Sequence, residues 1–174
     1  SALRDLDRIL LCGRCPRNAT SLAARLHDDI AIPIQVSTDF KRAAGEADII
    51  CTVTTAREPI LFGNWVRPGT HVNVVGSSYL GPVEIDNALV AMSRFFVDYR
   101  PSALAAAAEF NAALSAGVIG EDHIAGEIGD VLAGTVPGRV SADDITLYKS
   151  LGHVVQDLAA LAYLHARAQS ESVT

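Results

Sequence analysis

Basic residues are scarce in this sequence, and this scarcity argues against nucleic acids as binding partners. The 174 residues contain 14 Lys and Arg against 20 Asp and Glu, for a formal net charge of -6 at pH 7. A protein that binds nucleic-acid phosphates needs its basic residues gathered in a stripe, and here they are scattered along the chain. DNA and RNA are therefore excluded as partners.

Long apolar segments and metal-binding patterns are also lacking. No uninterrupted apolar run reaches the roughly 18 residues that a membrane helix needs, and the N-terminal residues do not resemble a signal peptide. We therefore expect a cytoplasmic protein that does not enter a membrane. The three cysteines and five histidines show none of the ligand spacings of a zinc site, so no metal is expected.

The apolar residues make up 49% of the chain, enough for a core that needs no disulfide or metal. Five short segments rich in Ile, Val and Phe are typical of parallel strands that are buried on both faces. These segments are residues 8–12, 32–36, 48–54, 71–75 and 94–98. Helical patterns separate them, so the sequence predicts an α/β protein with a doubly wound parallel sheet in which the five strands are neighbours.

The helical patterns carry their own start signals. The segment "NATSLAARLHDD" has Asn18 as a candidate N-cap, and "DFKRAAGEA" has Asp39. After Arg100, the segments "PSALAAAAEFNAAL" and "DHIAGEIGDVLAG" are each predicted to be helical. The chain closes with a helical pattern that has an apolar stripe to bury. The stripe consists of Leu151, Val154, Val155, Leu158, Leu161 and Tyr163.

The segment "CGRCPRN", residues 12–18, lies where a strand ends and a helix begins. One interpretation is a thiol redox site, because a C-x-x-C at a helix N-terminus has its thiolate stabilised by the helix dipole. The other is a cofactor loop, in which Arg14 and Arg17 meet a phosphate at the end of a strand. This local pattern leaves both interpretations open, together with a third in which the segment has no functional role.

Four further segments together resemble one family. They are "ADIICTVTTAREPIL" (47–61), "VRPGTHVNVVGSS" (66–78), "GEIGDVLAGTVPGR" (126–139) and "DDITLYKSLGHVVQDLAA" (143–160). In this order they are similar to the ornithine cyclodeaminase/mu-crystallin family. The resemblance implies a Rossmann domain for NAD or NADP, joined to a substrate and dimerisation domain. The activities that it implies are ornithine cyclodeaminase, alanine dehydrogenase and related imine reductases such as mu-crystallin.

The resemblance also sets our expectation for the domains. It begins near Ser1, after the position of the first Rossmann strand and of the glycine-rich turn that cradles the pyrophosphate. We therefore expect a fragment of a longer homodimeric enzyme. Residues 1–140 are expected to form a truncated Rossmann-like domain that lacks its first strand. Residues 141–174 are expected to form a strand and a helix that return toward the missing domain.

The resemblance further implies which residues bind the cofactor. The nicotinamide ring is expected near strand ends, where small residues let a flat ring approach the backbone. The residues implied there are Thr52, Val53, Thr54, Val75, Gly76, Ser77, Lys149, Ser150 and Gly152. The loop Gly13-Arg14-Cys15 is similar to the corresponding loop of relatives that use NADP. In those relatives an Arg in this loop accommodates the 2'-phosphate. NADP is therefore favoured, with NAD as the alternative.

Ser78 indicates the reaction. Ornithine cyclodeaminases have an aspartate at this position that assists proton transfer, and a hydroxyl is no general base at neutral pH. Mu-crystallin-like members have Ser, so reduction of a cyclic imine or oxidation of an amino acid is the leading hypothesis. Ser78 either bonds to the substrate or caps the turn. The alternatives are a cyclodeaminase and a module that binds nucleotide or dimerises without turnover.

Overall fold

The computed structural model describes residues 4–171, so Ser1 lies outside the described residues. The strands are β1 (Ile9–Cys12), β2 (Ile34–Ser37), β3 (Ile49–Thr52), β4 (His71–Val74), β5 (Arg94–Val97), β6 (Ile124–Glu127) and β7 (Thr146–Lys149). The helices are α1 (Pro16–Leu26), α2 (Phe40–Glu46), α3 (Asn87–Met92), α4 (Arg100–Ala106), α5 (Ala108–Ser115), α6 (Ile128–Leu132) and α7 (Val154–Glu171). Every strand pair is parallel, and most of the connections are helical, so the predicted α/β class is confirmed.

The order of the strands differs from the prediction in two ways. Strands β1 and β2 form a sheet of their own, while the second sheet has the order β3-β4-β7-β5-β6. The five predicted strands exist, but they are not all neighbours. Strand β7 separates β4 from β5, because Thr146 is aligned with His71 on one side and with Arg94 on the other. A strand from the end of the chain can take this place because parallel pairs are joined by long crossovers.

The prediction of a helix over "DHIAGEIGDVLAG" is wrong in its first half. Residues Ile124–Glu127 form β6, which pairs with β5, and only Ile128–Leu132 is an α-helix. Ile124 and Gly126 are buried whereas the residues between and after them are only partly buried. This alternation has the period of a strand and comes from pairing with β5 at the sheet edge.

Two predictions about helix ends are also corrected. Helix α1 begins at Pro16 after Cys15, not after Asn18, and proline suits the first helical position because its missing N–H needs no partner there. The single helix predicted after Arg100 is two helices, since Ala107 is extended with a ψ of 100°. The predicted cap of α2 is confirmed, because the Asp39 side chain accepts a hydrogen bond from Arg42 N at 2.9 Å.

The core lies around the middle strands of the larger sheet. Phe95 of β5 and Phe110 of α5 are both fully buried, and their ring centroids are 5.4 Å apart. Leu89 of α3 and Leu147 of β7 complete the packing with no exposed surface. Strands β1 and β2 differ, because none of their residues is fully buried. Burial on both faces was predicted for all five strands and holds only for the middle of the larger sheet.

Helix α7 projects from the rest of the described chain. Every side chain from Val154 to Ser170 is exposed, and the large apolar ones are exposed by 57–65%. They are Val154, Val155, Leu158, Leu161, Tyr163 and Leu164. The apolar stripe predicted for this helix therefore exists from Val154 onward and is not covered by the described residues, whereas Leu151 lies before the helix, is partly buried and packs against the core. Among residues 4–171, no helix has both the length and the apolar character that crossing a membrane requires.

Candidate functional site

The loops that follow β1 and β3 face each other across an open cavity. Arg14 lies on one side, and residues 55–58 lie on the other, around a volume of about 440 Å³. A second cavity of about 310 Å³ lies over Gly13, Arg14, Cys15 and the first turns of α1. Arg14 and Arg57 are exposed, and neither forms an ion pair with another described residue. Both guanidinium groups are therefore free to bind an anion.

The ends of β3 and β4 meet so closely that only glycine fits between them. A Cβ atom on Gly76 would collide with the backbone N and O of Thr54 and with Oε1 of Glu84. The sequence predicts close approach of a nicotinamide ring to the backbone here. The group that requires glycine is the end of β3, and the approach of a nicotinamide ring to Gly76 stays a prediction.

Glu84 ties these two strand ends together. Its carboxylate is fully buried and accepts three hydrogen bonds. Thr52 Oγ1 and Gly76 N each donate to Oε2 at 2.8 Å, and Thr54 N donates to Oε1 at 2.5 Å. Sequence reasoning missed Glu84, and its only signal is an acidic residue between two apolar ones in "VEI".

A buried ion pair joins the end of β7 to helix α5, and its lysine also binds Ser77 after β4. Lys149 and Glu109 are exposed by no more than 1%, and Lys149 Nζ lies 3.1 Å from Glu109 Oε2. That oxygen receives no directed hydrogen bond from a described residue, so its contact with the ammonium is electrostatic. Lys149 donates to the carbonyl oxygen and, at 2.8 Å, to the hydroxyl of Ser77. The same hydroxyl donates to Glu109 Oε1 at 2.5 Å.

These contacts change the role expected for two of the predicted cofactor residues. The side chains of Ser77 and Lys149 are directed into the protein and are used by protein partners. A contact of either residue with a cofactor would have to come from its backbone. Sequence reasoning missed Glu109, although it is the only charged residue in the alanine-rich segment 103–114.

The residues that follow these buried groups are exposed. Ser78 comes directly after Ser77, and its hydroxyl forms no hydrogen bond with another described residue, so the structure contains no turn cap from this side chain. Val53 and Val75 are exposed by 70% and 43%, so an apolar surface flanks Ser78 at the strand ends. A free hydroxyl beside an apolar surface suits a small ligand with one polar group.

Asp98, which directly follows β5, holds the turn after β7 in place. Asp98 Oδ2 accepts hydrogen bonds from Leu151 N at 2.8 Å and from Gly152 N at 2.6 Å. Gly152 has a φ of 83°, which favours glycine. Ser150 N donates to the carbonyl oxygen of Val74, so this turn is also joined to β4. Asp98 is a further residue that sequence reasoning missed.

The thiol of Cys12 does not have the lowered pKa that is typical of a redox nucleophile. Cys12 and Cys15 are both free thiols. Burial raises the pKa of the Cys12 thiol, and the nearby carboxylate of Asp39 raises it further. A reactive thiol needs a lowered pKa, because the thiolate is the nucleophile. This direction argues against Cys12 as a redox nucleophile, and the cofactor-loop interpretation of the segment stays a prediction.

A parallel α/β sheet with an unpaired arginine at a strand end is typical of dinucleotide-binding proteins. The sequence matches the ornithine cyclodeaminase/mu-crystallin family over residues 1–172, and the chain belongs to this family. Mouse ketimine reductase mu-crystallin is 36% identical over 156 residues, which cover 90% of this chain and 46% of the mouse protein.

Two further matches are named Delta(1)-pyrroline-2-carboxylate reductase. Delta(1)-pyrroline-2-carboxylate reductase of Paracoccus denitrificans is 33% identical over 164 residues, 94% of this chain and 52% of that protein. The solved structure of the Thermococcus litoralis enzyme of that name, in complex with NADH and L-proline, matches with a TM-score of 0.90 and 33% identity. That match covers 97% of this chain and 53% of the other. The chain thus spans about half the length of the relatives that it matches.

Proposed function

We propose that the full-length protein reduces a cyclic imine that carries a carboxylate, using NADPH or NADH. The observation that carries this proposal is Ser78, which is an exposed hydroxyl where a cyclodeaminase needs a carboxylate. A hydroxyl holds no proton in reserve near pH 7, whereas transfer of hydride to a preformed imine does not need such a base. The names of the relatives support the proposal, since two of them are imine reductases.

The residues at the strand ends fit a dinucleotide. The unpaired guanidinium of Arg14 at an open cavity of about 440 Å³ suits a phosphate group, and we assign it to the 2'-phosphate of NADP. The exposed Val53 and Val75 suit the flat face of a nicotinamide ring. The bound cofactor supplies hydride, and Ser78 donates or accepts one hydrogen bond to the substrate. The homodimer and the cytoplasmic location implied by the family stay predictions.

The reaction is tested on the full-length protein with Δ1-pyrroline-2-carboxylate. We expect NADPH absorbance to fall with the imine and no ammonia to form from ornithine. Ser78→Ala removes one hydrogen bond in the transition state, so the activation free energy for kcat/KM should rise by about 1 kcal/mol, roughly a fivefold loss. Ammonia release from ornithine by the unmodified protein would contradict the proposal.

The cofactor preference is tested with Arg14→Ala. A charge-assisted hydrogen bond to phosphate is worth about 1.5–3 kcal/mol, so affinity for NADPH should fall roughly 10- to 100-fold. Affinity for NADH should change little. Arg25→Ala, at the exposed far end of α1, is the matched control and should leave both affinities unchanged. Equal losses for both nucleotides after Arg14→Ala would remove the argument for NADP.

A further inference from the structure

The buried Lys149–Glu109 ion pair carries a desolvation penalty that two apolar side chains at the same positions would not have. Both side chains are at most 1% exposed, and removing two charges from water costs more than a well-packed apolar pair of the same size. Fold stability alone is therefore a weak reason for the pair. Its lysine lies at the carboxyl end of β7 and binds Ser77 after the end of β4, and this location indicates a different role.

The pair controls the direction of the backbone next to the exposed site. The Lys149 ammonium donates to both the carbonyl oxygen and the hydroxyl of Ser77. The carbonyl of Ser77 belongs to the peptide group that precedes Ser78, so a fixed carbonyl direction also fixes where the Ser78 side chain starts. Lys149 itself precedes Ser150, the first residue of the turn on the other side of the site.

Glu109 connects a third segment to the same unit. Its Oε1 accepts hydrogen bonds from the Ser77 hydroxyl at 2.5 Å and from Glu84 N at 3.1 Å. Glu84 in turn holds the ends of β3 and β4. The Glu109 carboxylate therefore links Ser77, which precedes Ser78, to Glu84, which orders the end of β3. The same carboxylate compensates the charge of the Lys149 ammonium.

We propose that Lys149 and Glu109 are positioning residues, which hold the Ser77–Ser78 peptide and the turn after β7 in the orientation needed for hydride transfer. Neither side chain reaches the surface, so each acts through Ser77 and the backbone. This inference rests on the proposed imine reduction for its kinetic readout, whereas the geometric claim does not depend on the reaction. A misplacement of about 1 Å in a reacting group costs up to about 100-fold in rate.

The test uses the full-length protein with Lys149→Met, Glu109→Gln and the double variant. Each single change leaves one buried group without its partner, so the midpoint of urea unfolding should fall. The double variant is neutral and similar in volume, so its midpoint should recover in part, with the remaining loss due to the Ser77 carbonyl oxygen that has lost its donor. Its kcat for imine reduction should stay about 10- to 100-fold low with KM for NADPH nearly unchanged. Arg67→Met with Asp48→Asn, an exposed ion pair, is the control and should change neither quantity.

Amide hydrogen exchange in the double variant separates this inference from the proposed function. We expect faster exchange at Val75, Gly76 and residues 150–152, whether or not the parent reduces an imine. Recovery of both the midpoint and the parental exchange pattern would overturn the positioning role. Should the double variant not fold, Ser77→Ala replaces it and should likewise speed exchange at Gly76. Unchanged exchange in Ser77→Ala would also overturn the inference.

Discussion

The strand ends at β4 and β7 differ sharply from the strand end at β1. The first two are joined by hydrogen bonds from Lys149 to Ser77, and Lys149 also forms a fully buried ion pair with Glu109 of α5. The end of β1 has the exposed Arg14, which has no ion-pair partner among residues 4–171. The buried end costs much free energy to disturb, whereas the exposed end can be substituted at little cost.

The difference indicates how the two parts of the proposed site divide their roles. The ends of β3, β4 and β7 are ordered by groups inside the protein before any ligand binds, as preorganised sites for chemistry require. At the end of β1, the Arg14 guanidinium is exposed to a ligand and is not held by an ion pair with another described residue. We therefore expect substitutions near β1 to change nucleotide preference, and substitutions near β4 and β7 to change stability and rate together.

The largest effect is expected from Glu84→Ala. The change removes the acceptor of Thr52 Oγ1 and of Thr54 N and leaves Gly76 N with only the carbonyl oxygen of Thr52 at 3.3 Å, and a buried unsatisfied donor costs roughly 1–3 kcal/mol. The free energy of unfolding should fall by about 3 kcal/mol or more, as measured by urea denaturation followed by circular dichroism.

The matched control for that variant is Glu46→Ala in α2. Glu46 pairs with Arg8 at 2.7 Å and with Arg42 at 3.6 Å at the surface, and its side chain is 37% exposed. A surface ion pair contributes less than about 1 kcal/mol. Equal losses for the two variants would show that the ends of β3 and β4 are no more internally ordered than the surface.

Gly76→Ala should have the next largest effect. The added Cβ meets the Thr54 backbone, which cannot rotate away as a side chain would, so β3 or β4 must shift. Overpacking of this kind costs about 1–3 kcal/mol. Gly129→Ala in α6 is the control, because its Cβ would meet no atom within 4 Å, and the change should be within about 1 kcal/mol. A stable Gly76→Ala protein that has lost only nucleotide affinity would instead favour the nicotinamide explanation for this glycine.

Much of the fold could be predicted because its strands are local apolar runs. The five predicted strands all exist with shifts of one or two residues at their ends. The order of the strands could not be predicted, because β7 pairs with both β4 and β5 and these pairings join residues far apart in the chain. Strand β6 was missed because Ile124, Ile128 and Leu132 also recur at a helical spacing of four residues, and only pairing with β5 decides between strand and helix.

The candidate site was predictable only where the resemblance supplied the residues. Arg14, Gly76 and Ser78 belong to motifs, and the structure places them at strand ends as expected. Glu84, Glu109 and Asp98 were missed because a single acidic residue carries no local sign of burial. Apart from Tyr99 N, which donates to the neighbouring Asp98, their partners are 8 to 54 residues away, so only the folded chain shows that each carboxylate accepts several hydrogen bonds.

The smallest expected effect concerns Cys12, at the exposed end of β1. Burial and then Asp39 raise the pKa of its thiol, so the thiolate fraction at neutral pH is below that of an ordinary cysteine. The rate of alkylation by iodoacetamide, followed by mass spectrometry of the peptide that contains Cys12, should therefore keep rising at a pH where an unstructured cysteine peptide has levelled off. The thiolate is the nucleophile in this reaction, so the pH profile reports the pKa directly. A profile shifted to lower pH than that of the peptide would mean that the α1 dipole stabilises the thiolate, and the loop after β1 would then be a redox site instead of a nucleotide-selecting one.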